Sequence, residues 1–456
     1  MKKLNLLRLT LVICCLNFTM QAQSYFGYTL DNYSGIHGVT INPANIVDSP
    51  FKADINLVSA SFFGGSDYLS INIQDIIKAE DGFSFDDNVK KSSKDDNNFF
   101  LNADVLGPSF MFNINKKSSI GFTSRVRTVL NINNISGELY ESLADGFDET
   151  NDFNLNVKDF NGTIHAWAEA GLTYGRILIK NEQYLLKGGI TLKYLQGAGA
   201  AFFSAPTISG QYDASANSLN TMGNLNYGLS QEEFKPEDLD FKNLTSGLGA
   251  DIGFAYQWQN KSLNQVDDSK LTNYSKYKLK LGLSITDIGS INYKESKSTK
   301  YDLNQNVNVD SFDEDDTEQV LKDLYNGVTT YGSTKIKLPT AFNLLVDYQI
   351  KSVLYISLAS SISLVNNNTA IANSIINTVT IAPRLETKWF SIYSPISFRQ
   401  YGDIAWGAGL RFGPLTVGSG SLLTNLFSDT KSADVYFGLK MPIYRKFQKK
   451  LKNKKE

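Results

Sequence analysis

The chain has two cysteines in 456 residues, Cys14 and Cys15, and both lie in its first 23 positions. Beyond them there is no thiol, which excludes disulfides and thiolate metal sites from the remainder. Histidine is as scarce, at His37 and His165 only. No G-x-S-x-G elbow surrounds any serine, and no His/Cys cluster has metal-ligand spacing. The acidic run at 310–318, DSFDEDDTE, lacks the ligand spacing of a calcium loop and reads as a solvated loop. The glycines at 247, 249 and 253 lie inside one alternating stretch with no helix after it, so they are no phosphate cradle. A chain this poor in catalytic parts is expected to be no enzyme, with no cofactor and no metal. After the first 23 residues no run of about 18 apolar residues occurs, which excludes a transmembrane helix.

Those first 23 residues read as a secretory signal peptide. Lys2, Lys3 and Arg8 supply positive charge, LTLVICCL supplies a short apolar core, and Ala22 offers a cleavage site. Without Lys2, Lys3 and Arg8 the chain keeps 41 basic residues against 46 acidic, a net of −5 that gives no reason to expect nucleic acid.

What the chain has in quantity is alternation. In residues 246–258, SGLGADIGFAYQW, one face reads Leu248, Ala250, Ile252, Phe254, Tyr256 and Trp258, and the other Gly247, Gly249, Asp251, Gly253, Ala255 and Gln257. Side chains alternate faces along a strand, so this is a strand with one oily side closed by aromatics. It is long enough to cross a bilayer at a tilt. The 28 Phe, 23 Tyr and 4 Trp suffice for interfacial girdles. Similar segments recur at 51–60, 67–73 (after a turn at Gly64-Gly65), 106–115, 119–131, 162–177, 183–195, 277–286, 337–348, 353–365, 378–389, 391–401, 404–412, 415–422 and 434–444, with two less regular strands in 198–229. Connections alternate between short and long. Residues 75–98, 132–161 and 292–333 read as the long loops, with helical pieces at 137–146 and 318–325, and Asp287-Ile288-Gly289 reads as a turn. The expected fold is all-β, a transmembrane antiparallel β-barrel of about 14 strands over residues 51–444.

Residues 24–50 come before the first strand and read as an irregular plug-like segment, with a turn at Asn42, Pro43 and Ala44. The faces opposite the oily ones carry Arg125, Arg127, His165, Glu169, Lys187, Lys193, Asp251, Lys278, Lys280, Asp347, Arg384 and Glu386. These lumen-lining charges are mixed in sign, which suits cross-linking of the lumen or holding a plug better than ion selectivity. Residues 445–456 carry seven Lys/Arg and one Glu, a basic tail on the periplasmic side.

Several stretches resemble exported barrels similar to the FadL-type fatty-acid transporters and the PorV-type barrels of type IX secretion. They are GVTINPA at 38–44, GITLKYLQG at 189–197, residues 247–256, LGLSITDIG at 281–289 and Leu338-Pro339-Thr340. The resemblance implies a 14-stranded barrel with residues 24–50 plugging the lumen. It also implies the outer membrane of a Gram-negative cell, reached after cleavage near Ala22, with outer-membrane lipid as surroundings. Two functions fit: passage or binding of a hydrophobic small molecule, and a scaffold or secretion-accessory barrel that binds protein partners through its long loops or basic tail. Outside membranes, a secreted β-sandwich is the competing architecture.

Overall fold

The computed structural model describes residues 25–72, 89–147, 150–230, 244–259, 277–313, 317–369 and 371–445. Residues 1–23, expected to be a signal peptide, and the basic tail beyond Arg445 therefore lie outside the described residues. So do most of the loop at 75–98 and part of the acidic run at 310–318.

All strands of the main sheet are antiparallel, and the sheet closes on itself. Phe51–Ser66 pairs on one side with Asn97–Leu106 and Ser109–Asn113, and on the other with the last strand, Ser432–Tyr444. The result is a closed barrel of 14 membrane strands, several of them made of two collinear pieces. Two facing sheets are ruled out, and with them the sandwich. Closure leaves no edge within the wall, so every backbone group there has a partner without water.

Burial is inverted relative to a soluble protein. Leu172, Ile190, Leu192, Phe254, Trp258, Leu283, Val379 and Phe412 are exposed, while Arg125, Glu169, Lys193, Asp251, Asp347 and Arg384 are buried. Apolar residues outside and charges inside are what hydrocarbon surroundings require. Among the described residues no helix is long and apolar enough to cross a membrane.

Three strands outrun the bilayer. Phe153–Lys180 has 28 residues, Tyr184–Asp213 has 30 and Tyr277–Asp302 has 26. At about 3.3 Å per residue and a tilt near 40°, 28 residues rise about 70 Å, against an apolar band of about 25 Å. The side-chain pattern marks where hydrocarbon ends. Leu172 points out and Thr173 in, yet earlier in the same strand Leu155 and Val157 are buried while Asn154, Asn156 and Lys158 are exposed. The upper parts of these strands, joined by Ser218–Leu229, Gln305–Asn308 and Asn326–Lys337, form a turret with its own apolar core. Val157, Tyr212, Tyr301 and Val307 belong to that core, and the helices Gly137–Asp145 and Thr317–Leu324 contribute Leu139 and Leu321.

The turret corrects the expectation of a long loop at 292–333, most of which is sheet. Three smaller expectations also fail. The first strand runs straight through Gly64-Gly65, which pair with Leu101 and Phe100, so there is no turn there. A break at Gly107-Pro108 reverses the faces, so Leu106 is buried while Phe110 and Phe112 face out. An irregularity in the pairing of Gln259 with Tyr277 does the same at residue 278. There Lys278 lies outside, its Nζ 4.6 Å from the Tyr348 ring centre, and Tyr277 turns inward, buried.

Candidate functional site

The lumen is filled from both ends. From the end where the barrel strands start and finish, at Phe51 and Tyr444, residues 25–50 fold back inside as three short helical turns, Tyr28–Leu30, Ile36–Ile41 and Pro43–Ile46. Most of their side chains are buried. They bond to the wall all round the barrel. The Tyr25 N–H donates to Ser61 Oγ at 2.9 Å, and His37 Nε2 lies 2.8 Å from Ser59 Oγ. Arg411 Nε donates to Asp31 at 3.0 Å, and Lys440 Nζ donates to the Tyr33 carbonyl at 2.7 Å. Lys187 Nζ donates to the Val47 carbonyl at 2.8 Å, and the Asn32 N–H donates to Glu386 at 3.0 Å.

Asn42, Pro43 and Ala44 sit where this segment meets the wall most closely. Asn42 caps the last helical turn, its Oδ1 accepting from the Ala44 N–H at 2.9 Å. Its Nδ2 donates to the carbonyls of Phe254 and Leu283, at 3.1 and 3.2 Å. Such bonds to strand carbonyls require the wall to be bare. Gly189 and Gly253 are paired neighbours that make it so. A Cβ on Gly253 would lie 2.2 Å from Asn42 Oδ1, and one on Gly189 would lie 2.5 Å from the Pro43 carbonyl. Gly253 and its neighbour Gly189 are thus a seat for the N-terminal segment, whereas Gly247 and Gly249 lie against Ile291 and Leu338.

From the opposite end, residues 364–369 and 371–377, between Leu354–Ser363 and Thr378–Glu386, dip into the lumen. Asn373 Nδ2 donates to the carbonyls of Val129 and Thr163, at 3.2 and 3.3 Å. Ser374 and Asn131 exchange two bonds, N–H to Oδ1 at 2.9 Å and Nδ2 to carbonyl at 3.2 Å. Val129 and Thr163 belong to strands about halfway round the ring from this loop, so it crosses the lumen.

Between the two fillings lies a charged belt. Arg125 grips Asp104 with two nitrogens and reaches Glu169 at 3.3 Å. Lys193 Nζ lies 2.8 Å from Asp251, 2.6 Å from Asp287 and 3.8 Å from Glu169. Arg127 bonds Asp287 at 2.6 Å and lies over the Trp167 ring, and His165 Nε2 lies 3.0 Å from Tyr293 Oη. Arg125, Arg127, His165, Glu169, Lys193 and Asp251, six of the twelve residues read as facing the lumen, are buried side by side here. A second cluster joins Arg384 to Asp347 at 2.8 Å and to Glu386 at 2.9 Å. The sequence reading missed Asp287, which carries two cations. It read residues 287–289 as a turn, whereas the strand continues and Asp287 takes φ 57°, with its amide held by Asp251 at 2.7 Å. A polar residue ahead of glycine in a strand was the available signal of such a bulge. Asp104, Asp54, Arg411 and Lys440 were missed as well; Arg411 and Lys440 are single charges in the apolar stretches GLRFG and GLKMP, where alternation was the available signal.

Among the groups outside the spanning strands, burial and the nearby Lys440 ammonium push the His37 imidazole down to about 3. Arg411 holds the Asp31 carboxyl below the usual carboxylate range despite its burial.

Two small spaces remain against these fillings among the described residues. A cavity of about 60 Å³ lies between Phe26, Leu30, Ile41 and Asn42 of the N-terminal segment and the wall residues Leu345 and Ala359. Another, of about 20 Å³, lies under the crossing loop beside Arg127, Val129 and Ile376. No cluster of metal-ligating side chains is present among the described residues.

Solved structures with a similar course share little sequence with this chain. A TodX monoaromatic hydrocarbon channel mutant has 9% identity and a TM-score of 0.48, covering 94% of this chain and 99% of its own. A FadL homologue from Pseudomonas aeruginosa has 11% identity and a TM-score of 0.41, covering 93% and 98%. The toluene transporter TbuX of Ralstonia pickettii has 8% identity and a TM-score of 0.42, covering 90% and 95%. Among curated proteins no sequence matches. The model of a family of unknown function, DUF5723, matches residues 43–420, a span from the Pro43 turn to the last strands, and the chain belongs to that family.

Proposed function

We propose that this protein is an outer-membrane barrel, closed at rest, that binds or passes small hydrophobic molecules between its N-terminal segment and its wall. The observation that carries this reading is the cavity at Leu345 and Ala359. It is mostly carbon-lined, it lies beside the seat of Asn42, and its inner wall belongs to the N-terminal segment, which is not part of the barrel. Its volume is about 60 Å³. Ligand pockets run to about 300 Å³ or more, so a ligand requires residues 25–50 to shift. The charged belt above the cavity supports the same reading. Its ion pairs are costly to break and leave no apolar route straight through the axis.

The test fills the cavity. In proteoliposomes, the Ala359→Trp variant is expected to slow uptake of a fluorescent fatty acid and of toluene by at least about fivefold, while folding as the wild type does. Uptake at the wild-type rate in a folded variant would overturn the reading. A second reading, a barrel that binds protein partners, is favoured by one observation: a turret with its own core stands outside the membrane band, which passage alone does not require.

A further inference from the structure

One side of the turret ends in an open strand. Asn326–Lys337 pairs along one side with residues 290–302. Along its other side, the one backbone bridge to a described residue joins Lys337, at its foot, to Ala372. The reason is visible in the chain. The next wall strand, Leu354–Ser363, stops near the membrane band, and residues 364–369 and 371–377 then turn into the lumen instead of climbing beside the edge. Residues 326–334, NGVTTYGST, contain no charge and no proline. Almost all of them are exposed on both faces, with Val328 at 70% and Tyr331 at 65%. Edges of this length are ordinarily blunted by charge, proline, a bulge or a covering loop, because free N–H and C=O groups on Val- and Thr-rich backbone invite another strand. Charge and proline are absent from those nine residues and no described loop covers them; the one irregularity of the ladder lies behind Ser333, where residues 293–296 face 332–334.

We propose that this edge takes up an extended, net acidic segment of a partner protein as one more antiparallel strand outside the membrane. The charge pattern sets the sign of the occupant. The edge and the strand behind it carry Lys294, Lys297, Lys300, Lys335 and Lys337 against Glu295 and Asp302, a net of +3 over residues 290–302 and 326–337. Lys335 stands opposite Asn292 and Lys337 opposite Ser290, so neither has an acidic cross-strand partner. Carboxylates at the end of the incoming strand nearest Lys335 complete that row. Area argues for a strand over a second barrel. Two barrels meeting edge to edge would share a single ladder, far short of the roughly 800 Å² per partner of a standard interface. A strand needs only the ladder and a few side-chain contacts. The proposal rests on the partner-binding reading and is independent of whether the barrel passes anything, so a failed uptake assay leaves it standing.

The test uses the full chain in detergent micelles and three fluorescent ten-residue peptides of alternating Thr and Val. One ends in two Glu, one in two Lys, and one carries two central prolines together with the Glu pair. Fluorescence anisotropy is expected to show the Glu peptide binding at least about tenfold tighter than the Lys peptide, and the proline peptide not binding. The Thr330→Pro variant, which blocks the ladder, and the Tyr331→Asp variant, which keeps the backbone and adds a like charge, are each expected to weaken the Glu peptide at least about tenfold. Both variants should keep the heat-modifiable gel mobility of a folded barrel. Equal binding of all three peptides, or binding of none, overturns the proposal. A dimer of the wild-type chain that Tyr331→Asp dissociates also overturns it, by showing that the edge belongs to a second copy.

Discussion

Replacing Gly189 or Gly253 by alanine should unseat the N-terminal segment while leaving the barrel intact. A Cβ on Gly253 would lie 2.2 Å from Asn42 Oδ1 and 2.9 Å from its Cγ. A Cβ on Gly189 would lie 2.5 Å from the Pro43 carbonyl and 2.7 Å from the Ala44 nitrogen. Ordinary carbon contacts need about 3.5 Å or more, so residues 42–44 must retreat by about 1 Å. That retreat breaks the two bonds of Asn42 Nδ2 to Phe254 and Leu283. At about 1 kcal/mol for each bond, plus the contacts around it, the loss is about 2–3 kcal/mol. The docked-to-undocked ratio then falls roughly 30- to 150-fold. The chain beyond its first 23 residues has no cysteine, so a single Ser34→Cys reports on docking without background. Its labelling by a water-soluble thiol reagent should accelerate by that factor in both variants. Gly332→Ala is the control, since nothing lies within 4 Å of the added carbon, and it should label at the wild-type rate. Wild-type labelling rates in Gly189→Ala and Gly253→Ala would refute the seat.

Acid should loosen the same segment. His37 sits at about 3 when docked and regains a value near 6.5 when released, so docking favours its neutral form. Its contribution is complete above pH 6.5 and declines as pH falls from there toward 3, by about 2 kcal/mol at pH 5. Hydrogen exchange of the amides at 36–41 should quicken over that range, and His37→Gln should abolish the dependence. Asp287→Ala leaves Lys193 and Arg127 without their closest carboxylate and should cost about 3–5 kcal/mol, read as a lower unfolding temperature in detergent. Asn373→Ala with Asn131→Ala removes the bonds that pin this loop to Val129, Thr163 and Asn131 across the lumen and should expose Ser374→Cys to labelling from outside the cell, with little change in barrel stability.

The wall was legible because its rule is simple. Residues 162–177 and 246–258 show period-two alternation with aromatics at one end, and the structure places both faces as read. The cluster of Arg125, Arg127, His165, Glu169, Lys193 and Asp251 followed from the same alternation, since every charge opposite an oily face must point inward. Alternation breaks at bulges, and there the reading went astray. Lys278, Leu106 and Asp287 each lie at a local irregularity that shifts the face by one residue. The turret was illegible for a different reason. Above the hydrocarbon the sheet reverts to apolar-in and polar-out, so the polar stretch at 292–333 looked like loop to a reading tuned to oily outer faces. The crossing loop at 364–377 is held by asparagines bonding to backbone carbonyls, contacts that leave no periodic trace.

The central claim is that residues 25–50 close the lumen from within. Single-channel recording in planar bilayers, with the full chain beside a variant lacking residues 25–48, tests it most directly. The account expects the full chain to be silent or nearly so, and the deletion variant, folded by its heat-modifiable mobility, to open steps of much larger conductance. Equal conductance from the two folded proteins would contradict it.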